Sequence, residues 1–185
     1  ALYPSLTTIV GCEVDGRPNF LAVAHVGIMN HGQPQYLSVG INKKHHSPKG
    51  IFEHKEFSIC VPGEDLLVQT DYVGLVSGRN TDKSQVFKLF QGELAHAPLI
   101  DGCPVCMELR LHSVVDFESH HVFIGELVAT HVDEAALTGE GKVDIARVKP
   151  LLFDMASMKY WSLGQPIGDC WGAGKELKRR LRGEG

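Results

Sequence analysis

Basic and polar residues follow an apolar run immediately before a proline, between positions 42 and 48. The segment reads Asn42-Lys43-Lys44-His45-His46-Ser47 and comes directly after the apolar stretch Tyr36–Ile41. A serine followed by Pro48 is typical of a helix start, where free backbone N–H groups and a partial positive charge favour an anion. The pattern indicates either a phosphate pocket or an exposed basic loop in which Ser47 only caps the helix.

A second polar segment, Ser77-Gly-Arg-Asn-Thr-Asp-Lys83, has the glycine and the basic residues that a phosphate-binding loop needs. It could add further groups to the same pocket. The alternative is a solvated loop in which Lys83 pairs with its neighbour Asp82. Asn19, which follows Pro18, could likewise be no more than the end of a turn.

Two cysteines with redox-motif spacing, Cys103-Pro-Val-Cys106, are followed by a segment that alternates like a strand. A reactive dithiol of the thioredoxin type needs its first thiol at a helix start, which lowers the thiol pKa. The alternation therefore predicts two partly buried thiols near the beginning of a strand. A thiol–disulfide protein that uses Cys103 and Cys106 stays open as an alternative function.

Ten histidines are many for 185 residues, but their spacing does not favour a metal site. The pairs His45-His46 and His120-His121 are adjacent in sequence, and adjacent side chains on a strand point to opposite faces. We therefore predict no metal site. The sequence also lacks the glycine-rich dinucleotide fingerprint, the P-loop and the nucleophile elbow of serine hydrolases.

Composition narrows the choice of partners. With 18 basic and 22 acidic residues the net charge is −4, which disfavours nucleic acid. No apolar run approaches the roughly 20 residues of a membrane span, and no signal peptide is visible, although the chain begins at Ala1 without methionine. Five cysteines make no even disulfide framework, so we expect a reducing cytoplasm.

The elements that would position these residues are mostly strands. Leu6–Val14, Phe20–Ile28 and Tyr36–Ile41 are apolar runs separated by turn residues, which predicts a three-stranded meander. A short helix is predicted from Ser47, a strand over Glu56–Pro62 and a helix over Glu64–Val76. Further strands are predicted at Val105–Val115 and Val122–Val132, and a basic amphipathic segment at Lys175–Arg182. Many short strands with inserted helices favour a mainly β fold with α elements, built as a β-barrel, in one domain over residues 1–185.

The order of motifs resembles the flavin reductase-like family, in particular its flavoredoxin branch. The resemblance rests on Pro18-Asn19 with His25 six residues on, Lys44-x-x-Ser47, and Ser77-Gly78 followed by Lys83, together with the strands Glu56–Pro62 and Phe123–Val128. The tail from Tyr160 to Lys175 is similar to the C-terminal segment of that branch. The resemblance covers nearly the whole chain.

The resemblance implies an FMN-binding split β-barrel, usually a homodimer with its flavin sites near the subunit interface. It implies that residues 151–185 form a C-terminal tail that packs on the barrel or on the dimer partner. Asn19 and the chain that follows it would approach the isoalloxazine ring, Lys44 and Ser47 would hold the phosphate, and Lys83 would reach the phosphate or the ring. The implied cofactor-binding residues are Asn19, Val23, Ala24, His25, Ser38, Gly40, Asn42, Lys44, Ser47, Ser77, Gly78 and Lys83.

The sequence departs from the branch at one position, because His25 stands where the pattern often has tryptophan. An imidazole offers less stacking area than an indole, but it can donate a hydrogen bond. We expect a protein that passes electrons through noncovalently bound FMN, fed by NAD(P)H or by a protein redox partner. Whether it is a flavin reductase or an electron carrier stays open, and no catalytic residue is assigned. The remaining alternative is a non-enzymatic module that binds a flavin or nucleotide.

Overall fold

The computed structural model describes residues 1–182 as a mainly β fold with a few helices, so positions 183–185 of the predicted tail lie outside the described residues. The strands are β1 (Ser5–Leu6), β2 (Thr8–Val14), β3 (Arg17–Val23), β4 (Val26–Ile28), β5 (Tyr36–Asn42), β6 (Glu56–Val61), β7 (Leu89–Phe90), β8 (Leu99–Ile100), β9 (Val105–Asp116), β10 (His120–Val132), β11 (Leu152–Asp154) and β12 (Lys159–Trp161). The helices are α1 (Ser47–His54), α2 (Leu67–Leu75), α3 (Ile145–Val148) and α4 (Lys175–Leu181), with 3₁₀ turns at Glu64–Leu66 and Glu134–Ala136.

Seven antiparallel strands form one curled sheet in the order β3-β2-β6-β9-β10-β5-β4. β2 and β3 form the hairpin predicted at Asp15-Gly16, where both residues have positive φ. The predicted meander is wrong beyond that hairpin, because Phe20–Ile28 is two strands and not one. β4 pairs with β5, so β3 and β4 lie at opposite ends of the strand order.

The curl of the sheet brings its two ends together at the break between β3 and β4. After β3 the chain crosses to the far end through Ala24 and His25, and the backbone N–H of Gly40 on β5 donates to the carbonyl of His25 at 2.8 Å. This crossing closes one side of a half-barrel. It places residues of β3 and β5 side by side although they are far apart in the strand order.

Two hydrophobic cores flank the sheet. The first lies inside the curl around Phe57, Leu109 and Phe123. The second lies between the sheet and α2 and includes Phe20 and Leu99. Each covers one face of the central strands, which explains why β2 and β6 are buried along almost their whole length.

The predicted helices form with shifted limits. The helix at Ser47 is confirmed, but Ser47 is its first residue and not its cap, because His46 stands at the cap position and makes no side-chain capping bond. The predicted helix Glu64–Val76 is a 3₁₀ turn followed by α2, and the buried residues of α2 are Thr70 and Val73. Among residues 1–182, no helix is both long and apolar enough to cross a membrane.

A small second sheet joins the two ends of the chain in the order β1-β11-β12. β1 pairs with β11, so Ser5 lies opposite Phe153. Beyond this sheet, residues 162–182 include α4 and are mostly exposed. The start of the predicted tail therefore packs against the N-terminal strand of its own chain.

Candidate functional site

The crossing between β3 and β4 opens onto an apolar cavity of about 330 Å³. One wall is β3 and the crossing itself, a second is the end of β5, and a third is the C-terminal half of α2 with Gly74 and Leu75. The hairpin of β11 and β12 covers the cavity. Five of the predicted site residues line it: Val23, Ala24, His25, Gly40 and Asn42.

Polar side chains gather at one side of this apolar cavity. His25 Nε2 shares a hydrogen bond with the hydroxyl of Tyr3 at 3.0 Å, and its ring meets the ring of His120 edge-on at 5.9 Å between centroids. His45 borders the cavity as well. Burial, with smaller effects from Lys83 and His120, lowers the pKa of His45, so its imidazole is uncharged at neutral pH.

A hydrogen bond ties the covering hairpin to α2. The hydroxyl of Tyr160 on β12 donates to Asp71 Oδ1 at 3.1 Å. Burial and this bond raise the pKa of Tyr160 to about 12, so the hydroxyl stays protonated and the link persists over the ordinary pH range. The cavity cover is thus fixed at a second point besides the β1–β11 pairing.

A second, polar cavity of about 500 Å³ lies at the other end of β3, beside the start of α1. Three of the residues expected to bind the cofactor, Asn19, Gly78 and Lys83, line it together with His46 and Arg79. β3 borders both cavities, and so does the loop between β5 and α1, through His45 on one side and His46 on the other. The two cavities therefore share two walls.

Asn19 and Ser47 meet behind the polar cavity. Asn19 Nδ2 donates to Ser47 Oγ at 2.9 Å, while Asn19 Oδ1 is buried without a protein partner. A Cβ placed on Gly78 would lie 2.0 Å from that oxygen, so only glycine allows the loop to approach so closely. The structure brings together residues from β3, α1 and the loop after α2.

Lys83 is buried, and its ammonium group points to backbone carbonyls. Nζ donates to the carbonyls of Phe20 at 2.9 Å and Val73 at 2.8 Å, which links β3 to α2. Burial lowers the pKa of Lys83 to about 8. Two of its three N–H donors are therefore used within the chain, and its reach toward a cofactor stays a prediction.

Four predicted site residues line neither cavity, and one of them, Ser47, is bonded to the lining residue Asn19. Lys44 is exposed, and its backbone N–H donates to Asn42 Oδ1. Ser38 donates to the carbonyl of Gly27 within the sheet, and Ser77 accepts from the backbone N–H of Arg79 at the start of a turn. The histidines of the predicted basic cluster add little charge either, since burial lowers the pKa of His46 as it does that of His45.

Several residues around the cavities are not found by sequence reasoning. Arg17 brings positive charge to the polar cavity, where it lies 3.7 Å from Asp82 and joins Arg79 of the predicted second polar segment. Tyr3, Asp71 and Tyr160 come from the first residues, α2 and β12. The turn residues Asp15-Gly16 are the one local indication of where Arg17 lies, because a tight hairpin places the residue that follows it beside the turn.

Cys103 and Cys106 lie away from both cavities and are buried. β9 begins at Val105, so the predicted strand is confirmed and no helix starts at Cys103. The thiols are buried more deeply than the sequence indicates. Hydrogen bonds from the neighbouring thiols of Cys103 and Cys60 lower the pKa of Cys106.

Comparison with known proteins gives consistent matches along the chain. The family model described as the flavin reductase-like domain matches residues 1–162. Flavoredoxin from Methanosarcina acetivorans is 38% identical, with a TM-score of 0.92 over 96% of this chain and 94% of its own. Flavoredoxin of Desulfovibrio vulgaris (Miyazaki F) is 32% identical, with a TM-score of 0.84 over 93% of each chain.

A third solved structure supports the fold alone. The FMN-binding protein from Thermus thermophilus with bound 1-cyclohex-2-enone is 24% identical, with a TM-score of 0.79 over 91% of this chain and 92% of its own. The predicted split β-barrel with inserted helices is confirmed by these likenesses and by the curled seven-stranded sheet.

Proposed function

The chain belongs to the flavin reductase-like family, and we propose that it holds FMN noncovalently and passes electrons through the bound ring. The observation that carries the proposal is the pair of cavities, one apolar and one polar, that share β3 and the loop between β5 and α1. Flavin nucleotides need such a pair, since they join a flat, largely apolar ring to a phosphate. FMN supplies the electron-accepting ring, and the protein supplies binding, orientation and electrostatics.

The apolar cavity is the site that we assign to the ring. The backbone from Val23 to His25 and the open edge at Gly40 form a surface against which a flat group can lie. A Cβ on Gly40 would come 3.3 Å from the Cβ of His25, so glycine leaves this wall of the cavity without a projecting side chain. His25 is held by Tyr3, so its imidazole is positioned at the edge of the cavity rather than free to rotate.

The polar cavity is the site that we assign to the phosphate. Asn19 and Gly78 line it, Ser47 supports Asn19, and Arg79 replaces exposed Lys44 as the cation best placed for an anion. A guanidinium is always charged and can form two parallel hydrogen bonds to a phosphate. The buried Oδ1 of Asn19, which has no hydrogen-bond partner among residues 1–182, is an acceptor available to a ligand hydroxyl.

The electron donor is NAD(P)H or a protein, and the apolar cavity suits either. Hydride transfer needs a nicotinamide stacked on the exposed ring face, whereas transfer from a protein needs only a close approach of the two redox groups. The four buried cysteines are free thiols, in keeping with the reducing cytoplasm that we propose as the compartment.

We also propose that the protein works as a homodimer. Large apolar side chains stand exposed along the C-terminal segment, among them Ile167, Trp171 and Leu181, at Ile28 on the edge strand β4, and at Phe117 in the turn between β9 and β10. A monomer rarely leaves so many large apolar side chains in water, and a second copy would bury them.

The absorption spectrum of the purified protein tests the proposal. The protein is mixed with FMN, freed of excess FMN by gel filtration, and then treated without oxygen with NADH or NADPH. We expect flavin bands to stay with the protein. Bleaching by a nicotinamide indicates a reductase, and colour that only dithionite removes indicates a carrier or a flavin-binding module fed by a protein. The absence both of retained flavin and of flavin-dependent NAD(P)H oxidation would overturn the proposal.

A further inference from the structure

Three buried thiols that the proposed flavin site does not use meet on one face of the sheet. The sulfur atoms of Cys60, Cys103 and Cys106 all lie within 4.8 Å of one another. Cys60 on β6 is paired with Cys106 on β9, so their side chains project from the same face. Cys103 enters from the turn before β9, where its Sγ donates to the carbonyl of Val61 at 3.1 Å.

A histidine stands next to this thiol cluster in the neighbouring strand. His131 on β10 is paired with Cys106, and together with Cys103 the two border a cavity of about 320 Å³. His131 Nε2 bonds Glu108 Oε1 at 2.6 Å. Histidine ligands of metals usually donate their second ring N–H to a carboxylate, which leaves the other nitrogen free to coordinate.

The carboxylate that holds His131 is itself firmly placed. Glu108 is fully buried, and it also accepts hydrogen bonds from the backbone N–H groups of Glu93 at 3.0 Å and Leu94 at 2.6 Å. Because each oxygen has an N–H partner, the carboxylate can stay ionised in the core and fix the orientation of the imidazole.

We propose that Cys60, Cys103 and Cys106 bind a thiolate-preferring d¹⁰ cation such as Zn²⁺, and that the fourth ligand, water or a reoriented His131, comes from the cavity that Cys103, Cys106 and His131 border. Zn–S bonds of about 2.3 Å place the sulfur atoms of a tetrahedral site about 3.8 Å apart. The observed cluster therefore needs sulfur shifts of about 1 Å or less, which side-chain rotation supplies. Each thiol releases its proton to solvent on binding, so the occupied site carries one net negative charge.

The other cluster of potential ligands among residues 1–182 fits a metal less well. Glu13, His54 and His96 are close together, but the two imidazoles stack at 3.9 Å between centroids and 15° between planes. Nitrogen lone pairs lie in the ring plane, so an ion between two stacked rings would lie out of both planes. The thiol cluster has no such conflict.

The test measures metal retained by the reduced, full-length protein, with and without bound FMN. Protein prepared with a phosphine reductant and stripped with a chelator is given excess Zn²⁺, desalted and analysed for zinc. We expect one zinc per chain, and Cys106→Ser to lower the affinity at least about tenfold. Cys12→Ser, which removes a buried thiol elsewhere, and Cys170→Ser, which removes an exposed one, should retain zinc.

Cobalt identifies the ligands. Co²⁺ bound by thiolates in a tetrahedron gives sulfur-to-cobalt charge transfer and intense d–d bands at longer wavelengths than flavin absorbs. We expect these bands in the wild type and His54→Gln and their loss in Cys106→Ser. A cobalt spectrum without sulfur charge transfer, which His54→Gln abolishes and Cys106→Ser leaves unchanged, would place the metal at the other cluster and overturn the proposal.

Thiol labelling provides a readout that needs no variant. In the wild type, Zn²⁺ should protect Cys103 and Cys106 from alkylation while exposed Cys170 reacts equally with and without metal. Equal labelling of Cys103 in both samples would overturn the proposal. A reduced protein that retains no zinc would also overturn the proposal. If Cys103 and Cys106 of that protein then form a disulfide on oxidation, detected by mass as the loss of two hydrogens, the two thiols are a redox pair and not metal ligands.

Discussion

At the scale of single residues, the position of Asn19 depends on a glycine in a distant loop. Asn19 Nδ2 is held by Ser47, and its Oδ1 lies where a Cβ on Gly78 would come within 2.0 Å. Gly78 is therefore needed for close approach and not for an unusual backbone angle. Any side chain there must push the amide of Asn19 away from the polar cavity.

Gly78→Ala should weaken FMN binding while the fold survives. The added methyl displaces Asn19 Oδ1 and misplaces a wall of the phosphate site, so we expect the Kd for FMN to rise about tenfold, or about 1.4 kcal/mol. Quenching of flavin fluorescence during titration measures it. Gly139→Ala is the matched control, since nothing lies within 4 Å of its added Cβ. Equal Kd values for the two variants would contradict this role of Gly78.

Lys83 predicts a pH dependence of stability. Burial lowers its pKa to about 8, below the ordinary value for lysine near 10.4. Between about pH 8 and about pH 10.4, folding therefore releases the proton of Lys83. The free-energy cost of burying the charged ammonium applies in full below about pH 8 and decreases as the pH rises toward about 10.4, so stability rises over this range.

The wild type should thus gain stability relative to Lys83→Met when the pH rises from about 7.5 to about 9.5, by on the order of 1 kcal/mol. Urea unfolding of both proteins at both pH values gives this double difference, in which the other titrating groups cancel. At a single pH the comparison is less direct, because Lys83→Met removes the hydrogen bonds to the carbonyls of Phe20 and Val73 and also buries an apolar side chain in place of the charged one. A double difference of zero or of the opposite sign would show that the ammonium is not buried.

The site residues that the sequence can predict are those whose position follows from the neighbouring residues in the chain. His45, His46 and Ser47 follow a strand and precede a helix-starting proline, so their place beside a helix start is readable. Lys44 has the same local context, yet its side chain is exposed, because adjacent positions in a turn point in different directions. Tyr3 and Tyr160 could not be found, since only the pairing of the two chain ends brings them over the cavity.

At the scale of elements, strand existence is readable from alternation and strand partners are not. The hairpin of β2 and β3 has a turn signal at Asp15-Gly16 and was predicted correctly. The break at Ala24 and His25 carries no such signal, because every residue there suits a strand. The break is set by the curling of the whole sheet, because β4 pairs with β5 at the far end of the strand order. That long-range choice also creates the apolar cavity.

Helix α1 is held on β2 by a close contact at Gly50. A Cβ there would lie 2.0 Å from the carbonyl oxygen of Glu13. In a free helix, Gly→Ala stabilises by about 1 kcal/mol. We expect the opposite sign for Gly50→Ala, a loss of about 1–3 kcal/mol in the free energy of unfolding, because α1 must move off the sheet.

Because α1 begins at Ser47, the same shift should weaken FMN binding, which connects this packing contact to the site. Glu53→Ala, at an exposed position of α1, controls for helix propensity and should change neither property by more than about 0.5 kcal/mol. If Gly50→Ala were as stable as Glu53→Ala, the contact between α1 and β2 would be looser than the structure shows.

At the scale of the whole molecule, the segment after β12 exposes large apolar side chains that the described residues 1–182 do not cover. Ile167 is 104% exposed and Trp171 is 91% exposed, so neither contributes to the packing of its own chain. By contrast, Phe153 and Tyr160, which come just before, cover the apolar cavity. The chain thus changes, after β12, from residues that complete its own site to a segment whose large apolar side chains Ile167 and Trp171 are almost fully exposed.

Replacing both Ile167 and Trp171 with aspartate should dissociate the proposed homodimer without unfolding the chain. The two charges would enter an apolar contact with no opposite charge to meet them, whereas the isolated chain keeps the same core. Light scattering after gel filtration should show a dimer for the wild type and a monomer for the variant, with Tm changed by no more than a few degrees when both are measured at dilution. Val143→Asp, an exposed apolar position outside this segment, should remain dimeric. A dimer that persists in the double variant would place the subunit contact elsewhere, around Ile28 and Phe117. A wild type that is monomeric at high concentration would exclude the homodimer altogether.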